Sequence, residues 1–206
     1  MHNKLIIIIC ILSFYGANAY AQNTQSILQK AFSKSYVLED KEQFSEAIKE
    51  IANVYDKNSY EINLRLGWLN LSAQKYEKSI EYYSISKNIM PKAIEPLLGE
   101  AMAQKKIESW LNVESIYLSI LELDSKNTKA NYELGVIYYY RKDYTTAKKH
   151  LDIVLNLYPF DYETMLMSAW NHYQLKNMTN AKVLFHKVLL NHPNDISALE
   201  GLENIN

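Results

Sequence analysis

Apolar residues recur along most of the chain with the spacing of a helix face. Between Tyr144 and Leu157, for example, Ala147, Leu151 and Val154 are three or four residues apart, so one helix would carry them on the same side. No periodic segment alternates at every second residue, as a half-buried strand would. The pattern therefore predicts an all-α fold.

The helical segments recur with a period of about 34 residues. Small residues are common at the eighth and twentieth positions of each repeat, and large residues occupy the twenty-fourth. The eighth positions hold Gly67, Ala101, Gly135 and Ala169, the twentieth hold Ser79, Val113, Ala147 and Ala181, and the twenty-fourth hold Tyr83, Tyr117, Leu151 and Phe185. Small residues let two helices approach closely, and the large residue fills the space that their crossing leaves. Each repeat is therefore predicted to be a pair of packed helices.

The period divides the chain into segments. Four adjoining repeats are predicted at 60–93, 94–127, 128–161 and 162–195, preceded by a divergent helix pair at 22–59 and followed by a capping helix at 196–206. Terminal segments are expected to be atypical because one side of each faces water.

These positions resemble the signature of the tetratricopeptide repeat family. The segment 128–161 carries Leu134, Gly135, Tyr138, Tyr144, Ala147, Leu151 and Pro159 at the family's signature places. Ser79, Val113 and Ser125 depart from the signature in the first two repeats. The resemblance covers residues 60–195 and implies a right-handed superhelical solenoid of helix-turn-helix repeats.

Residues 1–21 have the pattern of a secretory signal peptide. Lys4 precedes an apolar run from Leu5 to Tyr15, and small residues then allow cleavage after Ala21 or, alternatively, after Ala19. The run is well short of the roughly 20 residues that span a bilayer. We therefore expect export to the periplasm or the cell surface, with no integral membrane segment left after removal of the signal.

Composition and motifs argue against catalysis and against nucleic acid binding. The 206 residues include 22 basic and 23 acidic side chains, a net charge of −1 without a basic block. The chain has no glycine-rich phosphate loop, nucleophile elbow or zinc-protease motif. His172 is expected to be a packed aromatic residue, and the Glu39 carboxylate is expected in a solvated loop between helices. We expect no enzymatic activity, no cofactor and no metal.

The resemblance implies that the first helix of each repeat lines a concave groove. Carried over residue by residue, the groove positions are Leu64, Trp68, Leu71, Met102, Lys105, Lys106, Tyr132, Val136, Tyr139, Tyr140, Trp170, Tyr173 and Gln174. Leu98 and Leu166 share these positions, although packing against neighbouring repeats is the alternative for both, as it is for Leu64. The second positions, Glu61, Glu95, Lys129 and Glu163, form a rim of mixed charge.

Tryptophan and tyrosine are enriched in binding hot spots, so the groove favours a protein partner. The clamp of lysine and asparagine with which some family members hold a chaperone tail is absent. The function expected from the sequence is thus an exported scaffold or adaptor that holds a peptide segment or helix. Two alternatives remain: a carbohydrate-binding module that stacks sugars on the aromatic rings, and an assembly protein that self-associates through its repeat ends.

Overall fold

A computed structural model describes residues 25–205, and every regular element in that range is an α-helix. Helix α1 covers residues 25–39. The others are α2 (Phe44–Ala52), α3 (Tyr60–Ser72), α4 (Tyr76–Ile89), α5 (Glu95–Lys106), α6 (Trp110–Leu123), α7 (Thr128–Tyr140), α8 (Tyr144–Leu157), α9 (Tyr162–Gln174), α10 (Met178–Asn191) and α11 (Ile196–Glu203). The predicted signal peptide at 1–21 and its cleavage sites lie outside the described residues. Within residues 25–205, no helix has both the length and the apolar character needed to cross a bilayer.

The described helices form two compact units, which divide between Ile107 and Glu108. In the first unit α2 packs on α3, α3 on α4 and α4 on α5, and in the second unit each helix from α6 to α10 packs on the next one. Helices two apart in the chain are also in contact: α3 contacts α5, and α7 contacts α9. Within each unit, this neighbour-on-neighbour packing confirms the predicted all-α helical solenoid. The boundary between the units falls within the predicted repeat 94–127.

Small residues lie against large ones within the helix pairs. A Cβ atom added at Gly67 would lie 2.8 Å from the Tyr83 ring, and one added at Gly135 would lie 2.7 Å from the Leu151 side chain. Ser79, at another position expected to be small, donates its hydroxyl proton to the Gly67 carbonyl at 2.8 Å. The backbones therefore approach closely where the eighth and twenty-fourth positions of a repeat meet.

The turn inside each helix pair contains a residue with left-handed backbone geometry. Lys142 has a φ of 64°, and Gln74, Glu108 and Lys176 have similar values at the equivalent position of the other repeats. In the α7–α8 turn, the Asp143 N–H donates to the Tyr138 carbonyl at 2.9 Å, as in a Schellman motif. The fifth residue of this kind, Glu42, precedes Gln74 by slightly less than one full repeat. The first helix pair thus has the same turn with a shorter spacing.

Phe185 of α10 lies at the centre of the second unit's core. It is fully buried and packs with Met165, Ala169, Ala181, Val188 and Ala198. A Cβ atom added at Gly201 of α11 would lie 2.2 Å from the Phe185 ring, so α11 packs directly on this ring. The core thereby fixes α9, α10 and α11 relative to one another.

Candidate functional site

The second unit contains a pocket of about 490 Å³ formed by residues of α7, α9 and α11. It is lined by Tyr132, Tyr139, Tyr140, Tyr162, Glu163, Leu166, Met167, Trp170, Gln174 and Ser197. Half of these side chains are aromatic and a single one is charged. We call this site the aromatic pocket.

Helix α7 contributes three tyrosines to the pocket. Its N-terminus is capped by the Asn127 side chain, which accepts a hydrogen bond from Ala130 N–H at 3.1 Å. Tyr132 lies about two helical turns before Tyr139 and Tyr140, so all three rings reach the same side. The Tyr139 ring makes an edge contact with the Tyr140 ring, with centroids 5.5 Å apart. Tyr140 remains 74% exposed and is available to a partner.

Trp170 of α9 joins the pocket to the core. Its indole N–H donates to the Ser197 hydroxyl at 2.8 Å. Its ring makes edge contacts with Tyr173 and Phe185, at centroid distances of 5.6 and 5.1 Å. Because the ring packs on the core and its N–H is bound, Trp170 is held in one orientation. Its removal would affect the fold as well as the pocket surface.

Tyr162 is held by a residue that also caps α11. Its hydroxyl donates to the Asp195 carboxylate at 2.5 Å, and this hydrogen bond is the largest cause of its raised pKa. Asp195 also accepts a hydrogen bond from Ala198 N–H at 2.7 Å, which satisfies a free donor at the helix N-terminus. The ring of Tyr162 lies 4.2 Å from that of His192. A single carboxylate therefore orders both α11 and one pocket wall.

The pocket combines aromatic faces with a negative electrostatic environment. Burial is the largest cause that raises the pKa of Tyr132 to about 12, and the carboxylates of Glu163, Glu133 and Asp161 contribute to the rise. Burial also raises the pKa of Tyr139. At neutral pH these phenols are protonated and can donate hydrogen bonds. In the part of the chain that the structure describes, no group of three His, Cys, Asp or Glu side chains is placed to hold a metal ion.

Several of the groove residues predicted from the sequence come together in this pocket. They are Tyr132, Tyr139, Tyr140, Trp170 and Gln174, together with Leu166. Val136 and Tyr173 are half-buried and do not line it. Sequence reasoning missed Tyr162, Met167 and Ser197. Tyr162 opens its repeat, and Ser197 belongs to the capping helix, so neither occupies a groove position of the family pattern.

The other predicted groove residues belong to the first unit. They are Leu64, Trp68, Leu71, Met102, Lys105 and Lys106. Trp68 is 40% exposed, while Leu71 is 8% exposed and offers little surface to a partner. The indole N–H of Trp68 donates to Glu39, whose carboxylate also pairs with buried Arg65 at 2.5 Å. Glu39 was expected in a solvated loop, but it is the last residue of α1. The Arg65 guanidinium and the Trp68 indole, both on α3, bind its carboxylate.

Two segments of the second unit match a known family. Residues 129–161 and 163–195 fit the family model described as tetratricopeptide repeat. Both segments are similar to tetratricopeptide repeats. They contain α7 and α9, which carry most of the aromatic pocket. No curated protein shows a significant match to the sequence.

Solved structures share the fold, among them two of tetratricopeptide repeat proteins. One from Parabacteroides merdae is 18% identical, with a TM-score of 0.75 over 87% of this chain and 72% of that chain. MamA is 17% identical, with a TM-score of 0.69 over 80% and 91% of the two chains. YrrB, described as a TPR protein with an unusual peptide-binding site, is 12% identical, with a TM-score of 0.68 over 84% and 90%. At these identities the likeness shows the fold alone.

Proposed function

We propose that this protein is a noncatalytic scaffold that binds an extended segment of a protein partner in the aromatic pocket. The observation that carries the proposal is the gathering of five aromatic rings on one concave surface. Tyrosine and tryptophan supply large contact areas with few rotatable bonds, which makes them effective anchors. A pocket of about 490 Å³ is within the usual range for ligand sites, roughly 300 to 1,000 Å³.

The fixed orientation of the rings supports this proposal. Trp170 is held by Ser197, and Tyr162 is held by Asp195. Ordering side chains on binding costs about 0.5 to 1.5 kcal/mol for each flexible group, so side chains that are already ordered reduce this cost. The pocket also offers the Gln174 amide and phenol hydroxyls, which can hydrogen-bond to peptide carbonyl groups. The fold shared with YrrB, which has a peptide-binding site, is consistent with such a ligand.

The test is selection from a random dodecapeptide display library on the purified protein. Selected peptides are synthesised, and their affinities are measured by fluorescence anisotropy for the unmodified protein and for Tyr140→Ala. Tyr140 is the exposed pocket ring, and truncating an anchor of this type costs about 2 kcal/mol of binding, which is about a 30-fold weaker Kd. Tyr158→Ala is the matched control because Tyr158 is also exposed but does not line the pocket.

Tyr140→Ala should weaken binding while Tyr158→Ala leaves it unchanged, and both variants should keep the helical circular dichroism spectrum. Failure to enrich any peptide, or equal affinities for the two variants, would overturn the proposed function. Trp170→Ala is a poorer test, because the Trp170 ring also packs on Phe185.

We also propose that the protein is exported and loses residues 1–21. The support is the sequence pattern around the run Leu5 to Tyr15 and the small residues that follow it. The intact mass of protein recovered from the cell envelope or medium should correspond to a chain beginning at Gln22, or at Tyr20 for the alternative site. Mature protein that retains Met1 would contradict export by this route.

A further inference from the structure

We propose that the aromatic pocket selects a basic side chain, lysine or arginine, of the bound segment. The inference rests on the proposed function, because it specifies which part of the partner enters the pocket. Glu163 is the charged residue in the lining, which it shares with Tyr132, Tyr162 and Trp170. An aromatic surface with one carboxylate is complementary to an alkylammonium or guanidinium group.

The aromatic rings supply the first part of this complementarity. Each ring face carries negative electrostatic potential, and a cation within about 6 Å of the centroid is attracted to it. Tyr139 and Tyr140 lie edge to face, so they present faces in different directions. Several rings arranged around one volume can therefore surround a cation.

Glu163 supplies the second part, because its charge is not neutralised within the protein. In residues 25–205 its side chain makes no ion pair and no hydrogen bond. Two basic residues of the second unit have other partners: Lys129 pairs with Glu133 at 3.0 Å, and Lys176 lies 5.7 Å over the Tyr173 ring. No lysine or arginine is among the lining residues. A cationic ligand would thus meet an uncompensated carboxylate.

Neighbouring carboxylates add to the negative environment. Asp161 caps α9 by accepting the Thr164 N–H at 3.0 Å, and Asp195 caps α11. The charges of Asp161 and Glu163 both act on Tyr132, where they add to the effect of burial in raising the pKa of its phenol. An acidic segment would be repelled by the same charges, so the pocket distinguishes ligands by the sign of their charge.

The apolar part of the lining suits the rest of such a side chain. Lysine and arginine carry methylene stems that pack on apolar surface while their charged ends stay polar. Leu166 and Met167 offer that surface on α9, next to Glu163. Stem and charge would therefore be accommodated by adjacent residues of one helix.

The experiment uses the selected dodecapeptides. Each peptide that requires Tyr140 is synthesised with its basic residue intact and with norleucine in its place, which keeps the stem and removes the charge. Both forms are titrated by fluorescence anisotropy against the unmodified protein, Glu163→Gln and the control Glu122→Gln. Glu122 is an exposed carboxylate on α6, outside the pocket lining.

The selected peptides should share a lysine or arginine, and norleucine should weaken binding to the unmodified protein about tenfold. Glu163→Gln should reduce that preference to about threefold or less, while Glu122→Gln leaves it at about tenfold. Tyr140-dependent peptides without a basic residue, or a preference that survives Glu163→Gln, would overturn the inference and leave the proposed function standing. Absence of any Tyr140-dependent peptide would overturn both.

Discussion

The contact between α11 and the core allows a prediction about Gly201→Ala. Whether this change stabilises or destabilises the protein should depend on the residue at position 185. A Cβ atom at Gly201 would lie 2.2, 2.4 and 2.6 Å from Cζ, Cε2 and Cε1 of Phe185. Cβ contacts closer than 3.0 Å are essentially never seen, so Gly201→Ala must displace either the ring or the helix. Phe185 is fully buried and close-packed, which leaves the ring little room to move.

Two opposing effects set the magnitude. Overpacking a buried site costs roughly 1 to 3 kcal/mol, whereas replacing glycine by alanine inside a helix stabilises it by about 1 kcal/mol. We therefore expect Gly201→Ala to lower the free energy of unfolding by up to about 2 kcal/mol. Leucine has no counterpart to the three clashing ring atoms. In a Phe185→Leu background, Gly201→Ala should instead raise the free energy of unfolding by about 1 kcal/mol.

The assay is urea denaturation followed by far-UV circular dichroism for the two single variants, the double variant and the unmodified protein. Glu200→Ala is the control, since Glu200 is exposed on the same helix. A coupling free energy above about 1 kcal/mol between the two positions is expected. A stabilising effect of Gly201→Ala in both backgrounds would refute the packing of α11 on Phe185.

Three further predictions concern a turn, a cap and a buried histidine. Lys142 has a φ of 64°, so Lys142→Gly should be tolerated while Lys142→Val lowers the free energy of unfolding by roughly 1 to 2 kcal/mol in urea denaturation. Asp195→Ala should cost about 1 kcal/mol of stability through loss of the α11 cap, and it should also weaken peptide binding because Tyr162 loses its partner. Burial, followed by the charge of Lys148, lowers the pKa of His172 below its ordinary value of 6.5. The unfolded chain then binds the proton more readily, so the free energy of unfolding should fall as pH drops below about 6.5. Denaturation at several pH values should show a smaller fall for a His172→Gln variant.

The repeat pattern predicted the helices because a strong constraint acts at fixed positions. Where two helices cross, Gly135 leaves room for Leu151, and such steric needs recur at the same place in each repeat of the sequence. The pocket was only partly predictable. Ser197 belongs to α11, a single helix that follows the last complete repeat. Its hydrogen bond with Trp170 arises from the tertiary packing of α11 on α9 and α10. Trp170 was predicted only as a groove residue. Its contact with Phe185 is not revealed by any periodicity in the sequence.

The most direct test of the central claim is a crystal structure of the protein with a selected peptide bound. The account predicts that the peptide lies in the aromatic pocket against Tyr140 and Trp170. A peptide bound at another surface, with the aromatic pocket unoccupied, would contradict the assignment of this pocket as the binding site.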